Sequence, residues 1–363
     1  MPASSYLLFL AGVFVTFLPA GLLTDIPALG ANSAGRLVFS TLLSGLIAVA
    51  YVVVVRMRRR LILPLIVIHV LLFSQFERIA GPKGAPLDGE ALRARLVADV
   101  NGSIAALTMG FVLLSQLIRR EGTRYVRVHA EIALAAEIHK QLVPTIAGRV
   151  GKFEFRGVSS ASGEVGGDLV DLVESSAGWT SYVMDVSGHG VGAGVLMGMA
   201  KSTARTQLRE GRSMDALLDT ANAVLFDLKA PTMFVTFAGL QWRDSTLRFS
   251  VAGHLPILRY VAASSTIEEL SIPQLPLAMF PDTAYGSVPV TCETGDLLVV
   301  LTDGLTEVFD RADREFGLER VRDVIRAHAR DSLSQIEARL LAAVRAYGPQ
   351  LDDQTLLLVR VLA

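Results

Sequence analysis

Apolar and polar residues divide this chain into two parts with different patterns. Nearly unbroken apolar runs cover residues 5–23, 37–55, 61–76 and 100–118, although the third run is short and the fourth contains several polar residues. The first two runs are long enough to cross a hydrocarbon core of about 30 Å. The pattern therefore predicts an all-α transmembrane bundle of about four helices over residues 1–118.

A helix is also predicted immediately after this bundle. Residues 122–142 are rich in helix formers, carry apolar residues at intervals of three and four, and are followed by Pro144. We interpret residues 119–147 as a linker helix. Its apolar stripe suits a coiled coil in a homodimer or packing on the next domain, and a passive connector fits the pattern equally well.

From residue 151 onward the period changes to the short alternating or apolar runs that are typical of strands. Such runs cover residues 153–159, 168–175, 179–186, 232–242, 247–253, 256–263, 286–293, 296–302 and 355–362, and helical patterns cover 191–209, 214–228, 318–329 and 333–346. Adjacent strands interrupted by pairs of helices favour an α+β layered sandwich over residues 148–363 rather than a doubly wound sheet.

Composition narrows the possible classes of protein. Hydrophobic residues make up 51% of the chain, with the excess in the first 118 residues. The formal net charge is −1 and no basic stripe is present, which argues against nucleic acid as a partner. Cys292 is the single cysteine, so it has no partner for an intrachain disulfide or a zinc motif, and we interpret it as a small core residue.

Basic residues predict the orientation in the membrane. No lysine or arginine precedes Arg36, so the first apolar run lacks the basic region of a secretory signal peptide and is interpreted as a retained span. Arginines cluster at 56–60 and again at 119–127, and such clusters mark the cytoplasmic side. We therefore expect a multi-pass protein of the cytoplasmic (inner) cell membrane, in contact with lipid, whose C-terminal domain lies in the cytoplasm.

Four short motifs carry the candidate chemistry: GGDLVD at 166–171, DVSGHG at 185–190, TDG at 302–304 and DDQT at 352–355. Each places an aspartate at or beside the end of a strand-like run, so a folded sheet could gather these carboxylates at one edge. Carboxylate oxygens are typical ligands of Mg²⁺ and Mn²⁺. Two such ions about 3.5–4 Å apart would activate a water and offset charge on a phosphoryl group.

The ordered set of motifs is far more specific than any single one. Over about residues 130–362 the chain resembles the SpoIIE-type serine phosphatases, the bacterial branch of the metal-dependent protein phosphatase (PPM) superfamily. The matching motifs are EIHKQLVP, GGDLVD, MDVSGHG, TMFVTF, AGHLP, LLVVLTDGLTE, EFG and DDQT. Two departures are Leu169 and Val170, where the family often has aromatic residues, and His139, where its linker motif commonly has glutamine.

The resemblance implies an α-β-β-α sandwich with two Mn²⁺ or Mg²⁺ ions at one edge, and a metal-bound water that attacks phosphoserine or phosphothreonine directly. It also implies the ligands. Asp185 would bridge both ions and the backbone carbonyl of Val186 would join one of them. Asp168 would act largely through water. The other ion would be completed by Asp303 and Asp352, with Asp353 as the less certain candidate beside it.

The expected function is therefore a membrane-anchored, metal-dependent serine/threonine phosphatase acting on a cytoplasmic signalling protein, by resemblance an anti-sigma-factor antagonist. The alternative is a catalytically inactive phosphatase fold that serves as a sensory or partner-binding scaffold. The complete set of aspartates argues against this alternative. His189 and His254 invite a catalytic role, but both are interpreted as structural.

Overall fold

The computed structural model describes residues 2–75, 78 and 83–363. It divides the chain into two compact units, Met1–His129 and Ala130–Ala363, which are described separately below.

The first unit is built from helices. Helices α1 to α4 cover Ala3–Leu22, Ala34–Met57, Ile62–Ser74 and Gly89–Leu142. Within the described residues, three helices are long and apolar enough to cross a membrane: α1 with the short turn that follows it, α2, and α4. The first two predicted spans therefore form helices of the expected length.

The last two predicted spans differ from their expected form. Helix α3 has 13 residues, which extend about 20 Å and fall short of a hydrocarbon core of about 30 Å. The last residue of that predicted span, Phe76, lies outside the described residues. The fourth span and the linker helix form one continuous helix α4, because no proline interrupts the chain between residue 89 and Pro144.

Helices α1 and α2 pack closely through small residues. A Cβ placed on Gly21 would lie 2.2 Å from the backbone nitrogen of Thr41, so only glycine permits this approach. Beyond α1, the buried carboxylate of Asp25 accepts hydrogen bonds from Arg95 Nε at 2.9 Å and from the Asn32 backbone at 3.2 Å. These contacts fix the connection between α1 and α2 against α4.

The second unit is a sandwich of two antiparallel sheets. Strands β1 to β11 cover Ile146–Val150, Phe153–Ser160, Leu169–Ser175, Gly178–Val186, Val235–Arg243, Thr246–Ala252, Ile257–Val261, Thr266–Leu270, Val288–Val290, Leu297–Leu301 and Gln354–Val361. One sheet has the order β1-β2-β11-β10-β7-β8 and the other β3-β4-β5-β6-β9. Helices α5 to α8 cover Val191–Arg209, Met214–Leu228, Gly317–His328 and Leu333–Tyr347.

Three apolar layers hold the sandwich together. Helices α5 and α6 pack on the five-stranded sheet around Tyr182 and Met197, and helices α7 and α8 pack on the six-stranded sheet around Leu340. Between the sheets, Phe153 and Phe155 both contact the ring of Trp179 edge-on, at centroid distances of 4.8 Å. The predicted α-β-β-α sandwich is confirmed.

A buried charge network ties helix α5 to the five-stranded sheet. Asp171 on β3 is 2% exposed, and its carboxylate accepts two hydrogen bonds of 2.7 Å from the Arg205 guanidinium and one of 3.1 Å from the Tyr182 hydroxyl. Lys201 Nζ lies 3.4 Å from the same carboxylate and donates to the carbonyl of Leu142, the last residue of α4. The network therefore joins β3, α5 and the end of the linker helix.

Replacing Asp171 with alanine would leave the ammonium of Lys201 buried without its carboxylate. Removing one partner from a buried ion pair costs about 3–5 kcal/mol, so we expect Asp171→Ala to lower the melting temperature by roughly 6–12 °C or more. Both tryptophans, Trp179 and Trp242, lie in the second unit, so tryptophan fluorescence of the full chain during heating reports on that unit.

The matched control is Arg326→Ala. Arg326 pairs with Asp323 on the surface of α7, where the side chains are 52% and 70% exposed. Exposed pairs contribute about 0.2–1 kcal/mol, so the melting temperature of this variant should stay close to that of the wild type. Equal effects of the two substitutions would contradict the role assigned to the Asp171 network.

Candidate active site

The four aspartates that carry the predicted chemistry stand at neighbouring strand ends. Asp168 directly precedes β3 and Asp185 is the penultimate residue of β4, where the two antiparallel strands end side by side. Asp303 follows β10, and Asp352 lies just ahead of β11, which pairs antiparallel with β10. One end of each sheet thus contributes two carboxylates, and we call this group the acidic edge.

The backbone can approach itself closely at this edge only through glycine. A Cβ on Gly167 would lie 2.8 Å from the carbonyl oxygen of Val186, and a Cβ on Gly304 would lie 2.0 Å from the carbonyl oxygen of Asp353. Real Cβ atoms essentially never come so close to backbone atoms. Gly167 of GGD and Gly304 of TDG therefore cannot be replaced by a residue with a Cβ without displacing the neighbouring backbone.

Burial and, after it, mutual charge repulsion raise the pKa values of the carboxylates at the acidic edge. Burial, followed by the charge of Asp185, raises the pKa of Asp168 well above its ordinary value. Burial and the charges of Asp303 and Asp352 raise the pKa of Asp185 to about 7. Burial and Asp352 also raise the pKa of Asp303. These carboxylates therefore lie close enough together to disfavour one another's ionisation, and a bound cation would relieve that repulsion.

The two aspartates of DDQT have different surroundings. Asp353 is 4% exposed, and its carboxylate accepts hydrogen bonds from the backbone nitrogens of Ser162 at 2.7 Å and Gly167 at 2.6 Å. Asp352 is exposed, and one of its oxygens accepts from the backbone nitrogen of Asp353 at 2.8 Å. Asp353 thus holds the loop before Asp168 in place, whereas Asp352 faces the acidic edge.

Two threonines that the sequence reasoning did not single out orient Asp168. The hydroxyl of Thr302 donates to the Asp168 carboxylate at 2.8 Å, and hydrogen bonds from Thr302 and Thr355 both act to lower the pKa of Asp168. Thr302 belongs to TDG and directly precedes Asp303. Thr355 belongs to DDQT and follows Asp353 by two residues. Their position in these motifs was the available signal.

The three histidines near the edge have separate environments. His254 is hydrogen-bonded through Nδ1 to Thr236 at 2.7 Å, and burial lowers its pKa to about 4. It is therefore neutral at physiological pH and packs as part of the fold. His189 is exposed on the loop after Asp185. His139, near the end of α4, is buried against the backbone of Gly166.

The residues present fit divalent ions of the Mg²⁺ and Mn²⁺ type. Every side chain at the acidic edge offers hard carboxylate oxygens, and the raised pKa values show that the carboxylates lack a compensating positive charge. Among the described residues, no three His, Cys, Asp or Glu side chains converge tightly enough to hold an ion by themselves. Water would complete the coordination, as Mg²⁺ usually requires.

Comparison with known proteins places this geometry in a family. Residues 175–362 match the sequence profile of Stage II sporulation protein E (SpoIIE). The phosphoserine phosphatase RsbU of Bacillus subtilis (strain 168) is 25% identical over 239 residues, which cover 64% of this chain and 70% of RsbU.

Solved structures share the fold. The SiaA-PP2C domain of Pseudomonas aeruginosa is 20% identical, with a TM-score of 0.55, over 66% of this chain and 98% of that domain. The PP2C phosphatase domain of SpoIIE from Bacillus subtilis, with a fragment of its regulatory domain, is 15% identical, with a TM-score of 0.50, over 76% of this chain and all of that one. The family match covers more than half of the 363 residues, and the chain therefore belongs to the SpoIIE family and is a protein phosphatase with the PPM fold.

Proposed function

We propose that this protein is a membrane-anchored phosphatase that uses two Mn²⁺ or Mg²⁺ ions to hydrolyse phosphoserine or phosphothreonine on a cytoplasmic signalling protein. The observation that carries the proposal is the acidic edge, where carboxylates from both sheets raise one another's pKa. Divalent ions held there would lower the pKa of water and neutralise charge on the phosphoryl group.

Each residue of the acidic edge has a distinct proposed role. Asp185 would contact both ions, and the charges of Asp303 and Asp352, which both act on it, support this role. The carbonyl of Val186 is the backbone ligand beside it, and Asp303 and Asp352 hold the second ion. Asp168, buried and oriented by Thr302, acts through water.

Asp353 is given a structural role in this proposal. Its oxygens already accept from two backbone nitrogens and from the Ser162 hydroxyl. It therefore fixes the loop that carries Asp168, and Asp352 is the ligand supplied by DDQT.

The substrate and the assembly extend the proposal. RsbU is named a phosphoserine phosphatase, which supports a phosphoserine protein as the substrate, and the motif resemblance favours an anti-sigma-factor antagonist. The side chains of Leu134 and Ile138, one helical turn apart on α4, are 62% and 50% exposed. This stripe supports a homodimer formed through the linker helix.

The arginine clusters constrain the proposed topology. Both clusters lie in the cytoplasm only if the chain crosses the membrane an even number of times between them. Helix α4 provides one crossing, and the proposed topology assigns the other to the predicted apolar run of residues 61–76, although α3 by itself is shorter than a full span. The phosphatase domain then lies on the cytoplasmic side.

Labelling of introduced cysteines tests this topology. In a Cys292→Ser background, a membrane-impermeant maleimide added to intact cells should label Ala85→Cys, between α3 and α4, and should not label Arg58→Cys, after α2. Both positions are exposed, and both should react once the cells are permeabilised. The opposite pattern in intact cells would contradict a cytoplasmic phosphatase domain.

Asp185→Ala tests the role of the acidic edge in catalysis. The full chain in detergent with Mn²⁺ should release phosphate from p-nitrophenyl phosphate and from a serine-phosphorylated protein, and the variant should fall to the background rate because the bridging ligand is lost. Asp323→Ala, which removes a 70% exposed carboxylate on α7, is the matched control and should keep full turnover. Full turnover by Asp185→Ala would contradict the two-ion site.

The same preparation separates an enzyme from an inactive scaffold. Calorimetric titration with Mn²⁺ should show binding to the wild-type chain and weak or no binding to Asp185→Ala. A wild-type chain that binds no Mn²⁺ and hydrolyses neither substrate would favour the scaffold.

Charge repulsion predicts an unusual pH dependence of stability in the metal-free protein. Because the folded-state pKa of Asp185 is raised from 3.8 to about 7, its contribution to stability is complete below pH 4 and is lost as the pH rises through about 7. Asp185→Asn removes this charge. In chelator at pH 8, we expect the variant to melt roughly 5 °C higher than the wild type.

Tryptophan fluorescence during heating measures this difference. Near pH 4 and below, where Asp185 is largely protonated in both the folded and the unfolded wild type, the two melting temperatures should nearly coincide, and at pH 5.5 the difference should be about half of that at pH 8. Mn²⁺ at pH 8 should raise the melting temperature of the wild type more than that of Asp185→Asn. A variant no more stable than the wild type at pH 8 would show that repulsion at Asp185 is already relieved within the fold.

A further inference from the structure

A groove of about 480 Å³ lies beside the acidic edge, within the unit of residues 130–363. Its walls are mostly apolar, with a few polar groups at the rim. The apolar residues are Ile132, Val165, Val191 and Leu351, and the polar side chains are Ser162, Glu164 and His189. Its volume falls in the range of about 300–1,000 Å³ that is typical of ligand pockets.

The walls of the groove come from the same chain segments that carry the proposed metal ligands. The neighbours along the chain are Val165 with Asp168, His189 and Val191 with Asp185, and Leu351 with Asp352. A backbone hydrogen bond of 3.2 Å from Gly190 to the carbonyl of Val165 joins two of these segments. The groove is therefore formed in part by loops that also carry residues of the acidic edge, and a chain that places a phosphoryl group at the edge passes these loops.

Apolar side chains in this groove are unusually open to solvent. Val191 is 48% exposed and Leu351, directly before Asp352, is 63% exposed. Covering them with an apolar side chain would remove hydrocarbon surface from water, which favours association. Carboxylates and the ions they hold recognise the phosphoryl group, which every phosphoserine shares, so they supply no preference among phosphoproteins.

We propose that this groove receives an apolar side chain of the phosphoprotein substrate, close in sequence to the phosphorylated residue. The inference rests on the proposed phosphatase function and assigns part of its substrate selectivity to Ile132 and Val191. Both are specificity residues, because they line the groove and stand outside the proposed ligand set. Docking in the groove acts on binding and not on the chemical step.

Helix α4 offers a closely matched control. Ile132 is half-buried and lines the groove, whereas Leu134, two residues further on, is 62% exposed and does not line it. Residues two apart on a helix are separated by about 200° and face different directions. Ile132→Ser and Leu134→Ser therefore remove similar side chains from the same helix and differ in their relation to the groove.

The experiment uses the full chain in detergent with Mn²⁺ and two phosphoserine peptides. The peptides differ only in carrying leucine or serine at the positions that flank the phosphoserine. We expect kcat/KM to be about 10-fold higher or more for the leucine peptide, through a lower KM. Ile132→Ser and Val191→Ser should bring the leucine peptide to the level of the serine peptide, while Leu134→Ser should keep the preference.

Turnover of p-nitrophenyl phosphate separates this inference from the proposed function. This small ester carries no side chain that flanks a phosphoserine, so its hydrolysis should be unchanged in Ile132→Ser and Val191→Ser, and that result would also show that both variants fold. No turnover of p-nitrophenyl phosphate by the wild type would overturn the phosphatase proposal itself. Normal turnover with equal kcat/KM for the two peptides would overturn the groove assignment alone.

A second copy of this chain is the competing occupant. In that case the two peptides would be hydrolysed equally well, and Ile132→Ser would shift the sedimentation of the full chain toward a smaller species. That pair of results would overturn the proposal and assign the groove to self-association.

Discussion

Repulsion among carboxylates at the acidic edge is the constraint to which the surrounding structure responds. Asp168 and Asp185 are held close together although burial raises the pKa of both, and although the charge of Asp185 also raises the pKa of Asp168. Such an arrangement persists only if other parts of the fold prevent the carboxylates from separating. The apolar layers above, between and below the sheets provide that rigidity.

Hydrogen bonds hold the acidic edge in place on this rigid framework. Asp353 binds the loop before Asp168 through two backbone nitrogens, and Thr302 fixes the Asp168 carboxylate itself. Asp171 lies on β3, three residues after Asp168, and its charge is neutralised by Arg205 and Lys201. Asp171 is thus compensated by cationic side chains within the protein, whereas the side chains that act on Asp168 carry hydroxyl and carboxyl groups. The buried carboxylate of Asp171 thus has its own cationic partners, and uncompensated carboxylates remain at the acidic edge.

The sequence allowed much of this architecture to be predicted, for identifiable reasons. The bounds of α5 and α6 agree with their helical patterns, because Ser213 caps α6 and the apolar residues of both helices recur at helical spacing. Strands β1 and β8 were missed, because their exposed and half-buried residues lack clear alternation and their pairing comes from neighbouring strands.

The sequence did not distinguish the roles of all the candidate site residues. Motifs identified the acidic segments but could not separate the roles of Asp352 and Asp353, since neighbouring residues point in different directions and only the fold decides which of them meets the backbone. The third span illustrates a related limit. Its apolar run predicted a full crossing, yet α3 ends at Ser74, because apolar composition sets the environment of a segment and not the length of its helix.

Selectivity must be sought outside the acidic edge, and this follows from its chemistry. Carboxylates and divalent ions act on the phosphoryl group, which is the same on any phosphorylated serine, so they discriminate poorly between proteins. The apolar groove lies next to the edge and includes Ile132 from helix α4. The same helix supplies a groove wall at Ile132 and, at His139, a contact to the loop that carries Asp168. A change in the position of this part of α4 relative to that loop would therefore alter the groove and the acidic edge together.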